Sequence, residues 1–139
     1  MNSFQAQILT PEGTIFDGDI TGMQVPGVLG SFEVKPQHAD IISTLEIGMI
    51  LLRNTDSSKQ YFSVTGGFVE VHDNKLTLLA EAAEPVDEID VERAKEAKER
   101  AKERLNAEDK DIDKERARKA LARAENRIKL TMKVGISTR

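Results

Sequence analysis

The sequence predicts an α+β protein, a β-rich lobe followed by an antiparallel two-helix hairpin. Three observations predict it. All four prolines, all six aromatic residues and eight of the nine glycines fall in residues 1–85. Past that point Glu, Lys, Arg and Ala dominate. Glycine and proline punctuate short strands, whereas those four residues are strong helix formers. The charge balance also reverses, from 11 acids against 4 bases in residues 1–85 to 13 acids against 16 bases in residues 86–139. The expected division is therefore a docking lobe over 1–85 and a movable helical tail over 86–139.

Short apolar or alternating segments recur through the lobe every eight to twelve residues or so, the spacing of a sandwich or barrel. Phe4-Gln5-Ala6-Gln7-Ile8-Leu9 closes at Thr10-Pro11-Glu12-Gly13. Thr14-Ile15-Phe16 and residues 20–25 follow, stopped by Pro26-Gly27, and Ser31-Phe32-Glu33-Val34 ends at Pro36. Met49-Ile50-Leu51-Leu52 leads into the polar turn at residues 54–58. Tyr61-Phe62-Ser63-Val64 is interrupted by Gly66-Gly67, which marks a bulge or a close approach of two backbones. Phe68-Val69-Glu70-Val71 then joins Leu76-Thr77-Leu78-Leu79 through His72-Asp73-Asn74, as a hairpin does.

The tail predicts helices over residues 87–106 and 111–133, joined by a short polar break that makes them antiparallel neighbours. Their starts repeat: Ile89-Asp90-Val91-Glu92-Arg93-Ala94 returns as Ile112-Asp113-Lys114-Glu115-Arg116-Ala117. Helix capping by Asp and acids near a positive helix end account for such a repeat without any ligand. The inward stripes are mostly alanine, Ala94, Ala97 and Ala101 facing Ala117, Ala120 and Ala124, with Leu105, Leu121 and Ile128 as the larger apolar residues. Small side chains permit close packing but bury little area, so the hairpin is expected to be weakly held.

Catalytic chemistry has no constellation here. Cysteine is absent, so disulfides and thiol catalysis are excluded. His38 and His72 have no patterned serine beside them and read as surface or interface residues. Thr65-Gly66-Gly67 lacks the lysine of a phosphate-binding loop. No apolar run approaches the roughly 20 residues of a membrane helix, and the first residues do not form a secretory signal. A soluble cytoplasmic protein is the default expectation. The net charge of −4 and the lack of aromatics among the tail's bases argue against nucleic acid. Those bases gather after Lys114 and suit an acidic partner, so one reading is an adaptor whose basic hairpin recruits an unrelated acidic protein. Arg123 and Arg127 lie four apart on one helix face, with Arg116 a heptad earlier. They form either a solvated charged face or a receiver for an anion.

The wording of the lobe is more specific than its pattern. Thr10-Pro11-Glu12-Gly13, Val25-Pro26-Gly27, Pro36-Gln37-His38-Ala39 and above all Val64-Thr65-Gly66-Gly67-Phe68-Val69-Glu70-Val71 resemble the epsilon subunit of bacterial F-type ATP synthases. The alanine-rich hairpin opening at Ile89-Asp90 agrees, so the resemblance spans residues 4–133. It implies a ten-stranded β-sandwich and two helices in a non-catalytic subunit of the rotating central stalk. The implied partners are the gamma subunit, the c ring and the beta and alpha subunits of the catalytic head. The implied location is peripheral, on the cytoplasmic face of the cell membrane, without insertion. The resemblance also implies that the helices fold down on the sandwich or extend along gamma, where they inhibit ATP hydrolysis.

No cofactor is required by this resemblance, but ATP is an implied regulatory ligand of the folded-down form. The motif Ile/Leu-Asp-x-x-Arg-Ala is matched at residues 89–94, which implicates Asp90, Arg93 and Ala94. Glu84 stands six residues before Asp90, and Arg123 with Arg127 correspond to the arginines of the second helix. Gly30, Ser31, Phe32, His38 and Arg116 are the expected partner contacts. The family's Gly-Glu-Leu-Gly-Ile/Val loop reads Gly30-Ser31-Phe32-Glu33-Val34 here, and its Pro-Gly-His-Ala reads Pro36-Gln37-His38-Ala39. Both departures fall in the expected docking edge.

Overall fold

A computed structural model describes residues 2–137, and the chain divides after Pro85 into two compact units. The first unit carries β1 (Phe4–Thr10), β2 (Gly13–Gly27), β3 (Gly30–Val34), β4 (Ile41–Asn54), β5 (Lys59–His72), β6 (Lys75–Ala80) and β7 (Ala83–Pro85). Neighbours run β1-β6-β5-β4-β2-β3, and β1 also pairs β2. Five strands therefore close on themselves, with β3 beyond β2 and β7 beside β5. All pairings are antiparallel except β1 with β6.

Seven strands stand where ten were expected, because three are long. β2 runs unbroken through Gly18 and Gly22, and β5 runs through Gly66-Gly67. β5 changes partner along its length instead of ending at its glycines. In β5 residues 62–64 pair with β7 and residues 67–72 with β6. Gly66 and Gly67 have φ of +125° and +132°, and a Cβ on Gly67 would sit 2.0 Å from the carbonyl oxygen of Leu79. Only glycine lets β5 bend this close to β6.

Strand alternation fills the interior. Phe4, Ala6 and Ile8 of β1 point inward while Gln5 faces solvent, and Leu76, Leu78 and Ala80 of β6 do the same. Ile8, Ile20, Met23, Ile50, Leu52 and Leu78 are fully buried in one continuous core. Each such side chain contributes about 1.5–3 kcal/mol of transfer free energy.

The second unit is a 3₁₀ turn, Val86–Glu88, then α1 (Val91–Asn106) and α2 (Lys114–Ser137). Both helices start later than expected, since residues 86–88 form the tighter turn and the Asp residues at 90 and 113 cap from outside. α2 also runs past Lys133, through Gly135 to Ser137, with no proline to stop it. Ala94, Ala101, Ala117 and Ala124 are buried as expected, and Ala97 and Ala120 are half-buried. Leu130 and Val134 are buried as well, a pair the alanine pattern did not announce, whereas Leu105, Leu121 and Ile128 are only half-buried. Alanine-dominated burial leaves this unit with far less apolar area per residue than the β unit.

Candidate functional site

The repeated hexapeptide resolves into two helix caps. The Asp90 carboxylate accepts the backbone N–H of Arg93 at 3.2 Å, and the Asp113 carboxylate accepts that of Arg116 at 3.1 Å. Each Asp is followed at its fourth position by a buried alanine, Ala94 and Ala117, whose N–H bonds back to the Asp carbonyl. The isoleucines before them, Ile89 buried and Ile112 half-buried, occupy the position of a hydrophobic staple. So Asp90 and Ala94 have structural tasks in the chain by itself. Arg93 is exposed on the first turn of α1.

On α2, Arg123 and Arg127 are half-buried and Arg116 is exposed. Because the start of α2 meets the end of α1, the helices run antiparallel. Arg93 lies thirteen residues before Asn106 and Arg127 thirteen residues after Lys114, so each stands about 20 Å from the loop end of the hairpin at 1.5 Å per residue. Arg123 is one turn nearer the loop. Arg93 and Arg127 therefore occupy the same level of the helix pair. Glu84 is half-buried in the β unit, on β7, where it pairs with Ser63.

Of the five expected partner contacts, Arg116 lies on α2 and the other four fall at two places on the β unit. Gly27 pairs with Gly30 around a two-residue tip, Val28-Leu29, and Leu29 is fully exposed at 101%. Gly30, the first residue after the tip, adopts φ +129°, a conformation that favours glycine. Ser31 accepts from the Gln24 side chain at 3.0 Å and donates to the Val25 carbonyl at 3.2 Å, while Phe32 packs half-buried against the core. A Cβ on Gly27 would meet the Phe32 ring at 2.9 Å, so the bare glycine makes room for it. His38 sits in the connection to β4, where its Nδ1–H donates to the Ala39 carbonyl at 2.7 Å.

Sequence reasoning missed the main electrostatic cluster. His72 Nδ1 donates to Asp40 at 2.8 Å, and its Nε2 lies 3.3 Å from Asp73. Asp40 also accepts the backbone N–H of Asp73, while the Gln37 N–H donates to the Asn74 side chain at 2.6 Å. The hydrogen bond His72 donates to Asp40 and the charges of Asp73 and Asp40 raise His72 above its usual 6.5. The same bond from His72, with the Asp73 N–H, lowers Asp40 below 3.8. The pairing follows from register: Ile41 faces Val71, so Asp40 comes beside His72. Nothing in the local sequence announces a partner 32 residues away. Beside it the outer face exposes Ile42 and Phe68, with Leu79 paired across from Phe68. Among the described residues no group of acidic or histidine side chains has the arrangement of a metal site, and no helix is long and apolar enough to cross a membrane.

A closed β unit with an exposed apolar face, followed by a capped alanine hairpin, is the architecture of a family described in two parts. Residues 3–86 match "ATP synthase, Delta/Epsilon chain, beta-sandwich domain" and residues 87–131 match "ATP synthase, Delta/Epsilon chain, long alpha-helix domain". The ATP synthase epsilon chain of Protochlamydia amoebophila is 52% identical over 131 residues, covering 94% of this chain and 89% of that one. The epsilon chain of Bacillus subtilis is 40% identical over 80% of this chain and 83% of its own. The chain belongs to the ATP synthase epsilon chain family. Its fold is similar to a chain in the Euglena gracilis mitochondrial ATP synthase OSCP/F1/c-ring structure, with a TM-score of 0.79 at 18% identity over 96% of this chain and 81% of that one. A second likeness, to a chain of the Tetrahymena thermophila central stalk/c-ring structure, has a TM-score of 0.57 at 20% identity over 94% of both.

Proposed function

We propose that this chain is a non-catalytic rotor subunit of an F-type ATP synthase, bound to the gamma subunit and c ring through its β unit. The observation that carries the reading is the tandem match of both units to the epsilon chain family, in order and over nearly the whole chain. The solved assemblies whose chains share this fold are titled as F1/c-ring and central stalk/c-ring complexes, which supports the same partners. The exposed Val28-Leu29 tip and the Ile42–Phe68–Leu79 face supply apolar surface for docking. Membrane attachment is then peripheral, through the c ring.

The hairpin is the regulatory part of the proposal. In its extended form it inhibits ATP hydrolysis, its basic face meeting acidic surface on the beta subunits. In its folded-down form it takes up ATP, with Arg123 and Arg127 receiving phosphate oxygens. Two cations on one face repel, and a shared anion turns that cost into charge-assisted hydrogen bonds. Asp90 supports this site by fixing the start of α1. Deleting the chain from Asp87 onward tests the division of labour. The truncated subunit should still bind gamma, and the assembled enzyme should hydrolyse ATP at least as fast as the intact one. Slower hydrolysis with normal assembly would refute an inhibitory hairpin.

A further inference from the structure

α1 ends without the usual device. Its last residue is Asn106, and Ala107 follows in an extended conformation, φ −72° and ψ +142°, with its N–H reaching the Arg104 carbonyl at a long 3.4 Å. No glycine turns the chain into a left-handed cap, so the final carbonyls lack their common partners. Lys114 fills the gap. Its ammonium donates to the carbonyls of Arg104 at 3.0 Å, of Leu105 at 2.8 Å and of Ala107. All three protons of the ammonium are thus directed at one helix end.

The position of this lysine is against the local rule. Lys114 is the first residue of α2, where the helix dipole disfavours a cation. Asp113 and Glu115, on either side of it, have the sign expected there. The lysine instead bends back across the connection to the negative end of α1. Its bonds exist only while the start of α2 stands beside the end of α1. They add to burial in the hairpin that rests largely on alanine, with Leu130 and Val134 the larger buried side chains of α2.

We propose that Lys114 is a clasp that holds the hairpin closed, so that the balance between the closed and the opened tail is set at the loop end as well as at the arginine face. The consequence for hydrolysis rests on the regulatory reading given above; the clasp itself does not. When the helices separate, the three carbonyls return to water or to the amides of a continuing helix. The charge-assisted bonds are lost together.

The absence of native cysteine makes the test direct. Spin labels at Glu92→Cys and Lys129→Cys, both exposed, report the separation of the helices far from the clasp in the full chain. Lys114→Met keeps the apolar stem and removes the donors, and Lys114→Arg keeps charge and donors. The expected result is a rise of about tenfold in the long-distance population for Lys114→Met, equivalent to about 1.4 kcal/mol, with Lys114→Arg close to the parent. A hairpin that loses its helical circular dichroism in Lys114→Met but keeps it in Lys114→Arg supports the clasp equally. Identical distance distributions for Lys114→Met and the parent overturn it, as does equal opening in both variants. Hydrolysis by the assembled enzyme separates the two claims. Deeper inhibition with Lys114→Met supports both, while an opened hairpin with unchanged hydrolysis keeps the clasp and rejects the inhibitory reading.

Discussion

Replacing Gly67 by alanine tests the account of how seven strands form a closed unit. Gly67 has φ +132°, a conformation that costs an L-residue about 1–3 kcal/mol. Its added Cβ would also lie 2.0 Å from the Leu79 oxygen, 2.9 Å from the Ala80 Cα and 3.0 Å from the Leu79 carbonyl carbon. All three are backbone atoms, so no side-chain rotation relieves the contact. β6 must retreat by about 1 Å or more, which disturbs the pairing of Gly67 with Ala80 and Phe68 with Leu79. Ladder bonds contribute about 1 kcal/mol each, so the contact should add about 2 kcal/mol or more to the backbone strain. Gly13→Ala is the control, because φ there is +133° and nothing lies within 4 Å of the new Cβ. Urea unfolding followed through Tyr61, the only tyrosine in a chain without tryptophan, reports on β5 itself. The midpoint of Gly67→Ala should fall well below that of Gly13→Ala. A difference in stability under about 0.5 kcal/mol would refute the close approach as the reason for glycine.

Three further outcomes follow from the sites. Asp90→Ala and Asp113→Ala should each destabilise the hairpin by about 1 kcal/mol through loss of an N-cap, read as a lower thermal midpoint of helical circular dichroism. The ion pair of His72 with Asp40 contributes stability that is complete below the unfolded histidine value near 6.5 and is lost as pH rises through the raised folded value. It is lost on the acid side as pH falls below 3.8 through the lowered value of Asp40. An NMR titration should place His72 above 6.5 and Asp40→Asn should bring it back down; a His72 titration indifferent to Asp40→Asn would contradict the pairing. Calorimetry should show one ATP bound per chain, and Arg123→Ala with Arg127→Ala should abolish the heat while the circular dichroism stays unchanged.

The division of the chain and the identity of its parts were legible because composition changes so sharply at Pro85. The caps at Asp90 and Asp113 were legible from the repeated hexapeptide, although the helices begin at Val91 and Lys114 and not at residues 87 and 111. Three properties were hidden. A long strand that changes partner looks like separate short ones, because the glycines that permit the bend are the residues that ordinarily end a strand. The Asp40–His72 pair depends on the register of β4 against β5, which no local pattern specifies. Lys114 resembles one more base in a basic helix. Only the extended backbone at Ala107 gives its ammonium three carbonyls to meet.

The central claim is membership of the rotor, and its most direct measurement is the composition of the complex that the chain forms in its own cells. Purified through a tag under mild detergent, it should recover the gamma subunit and the c ring in fixed proportion, together with the alpha and beta subunits of the head. A chain that instead emerges with an unrelated acidic protein, and with neither gamma nor the c ring, would contradict the account and leave the adaptor reading in its place.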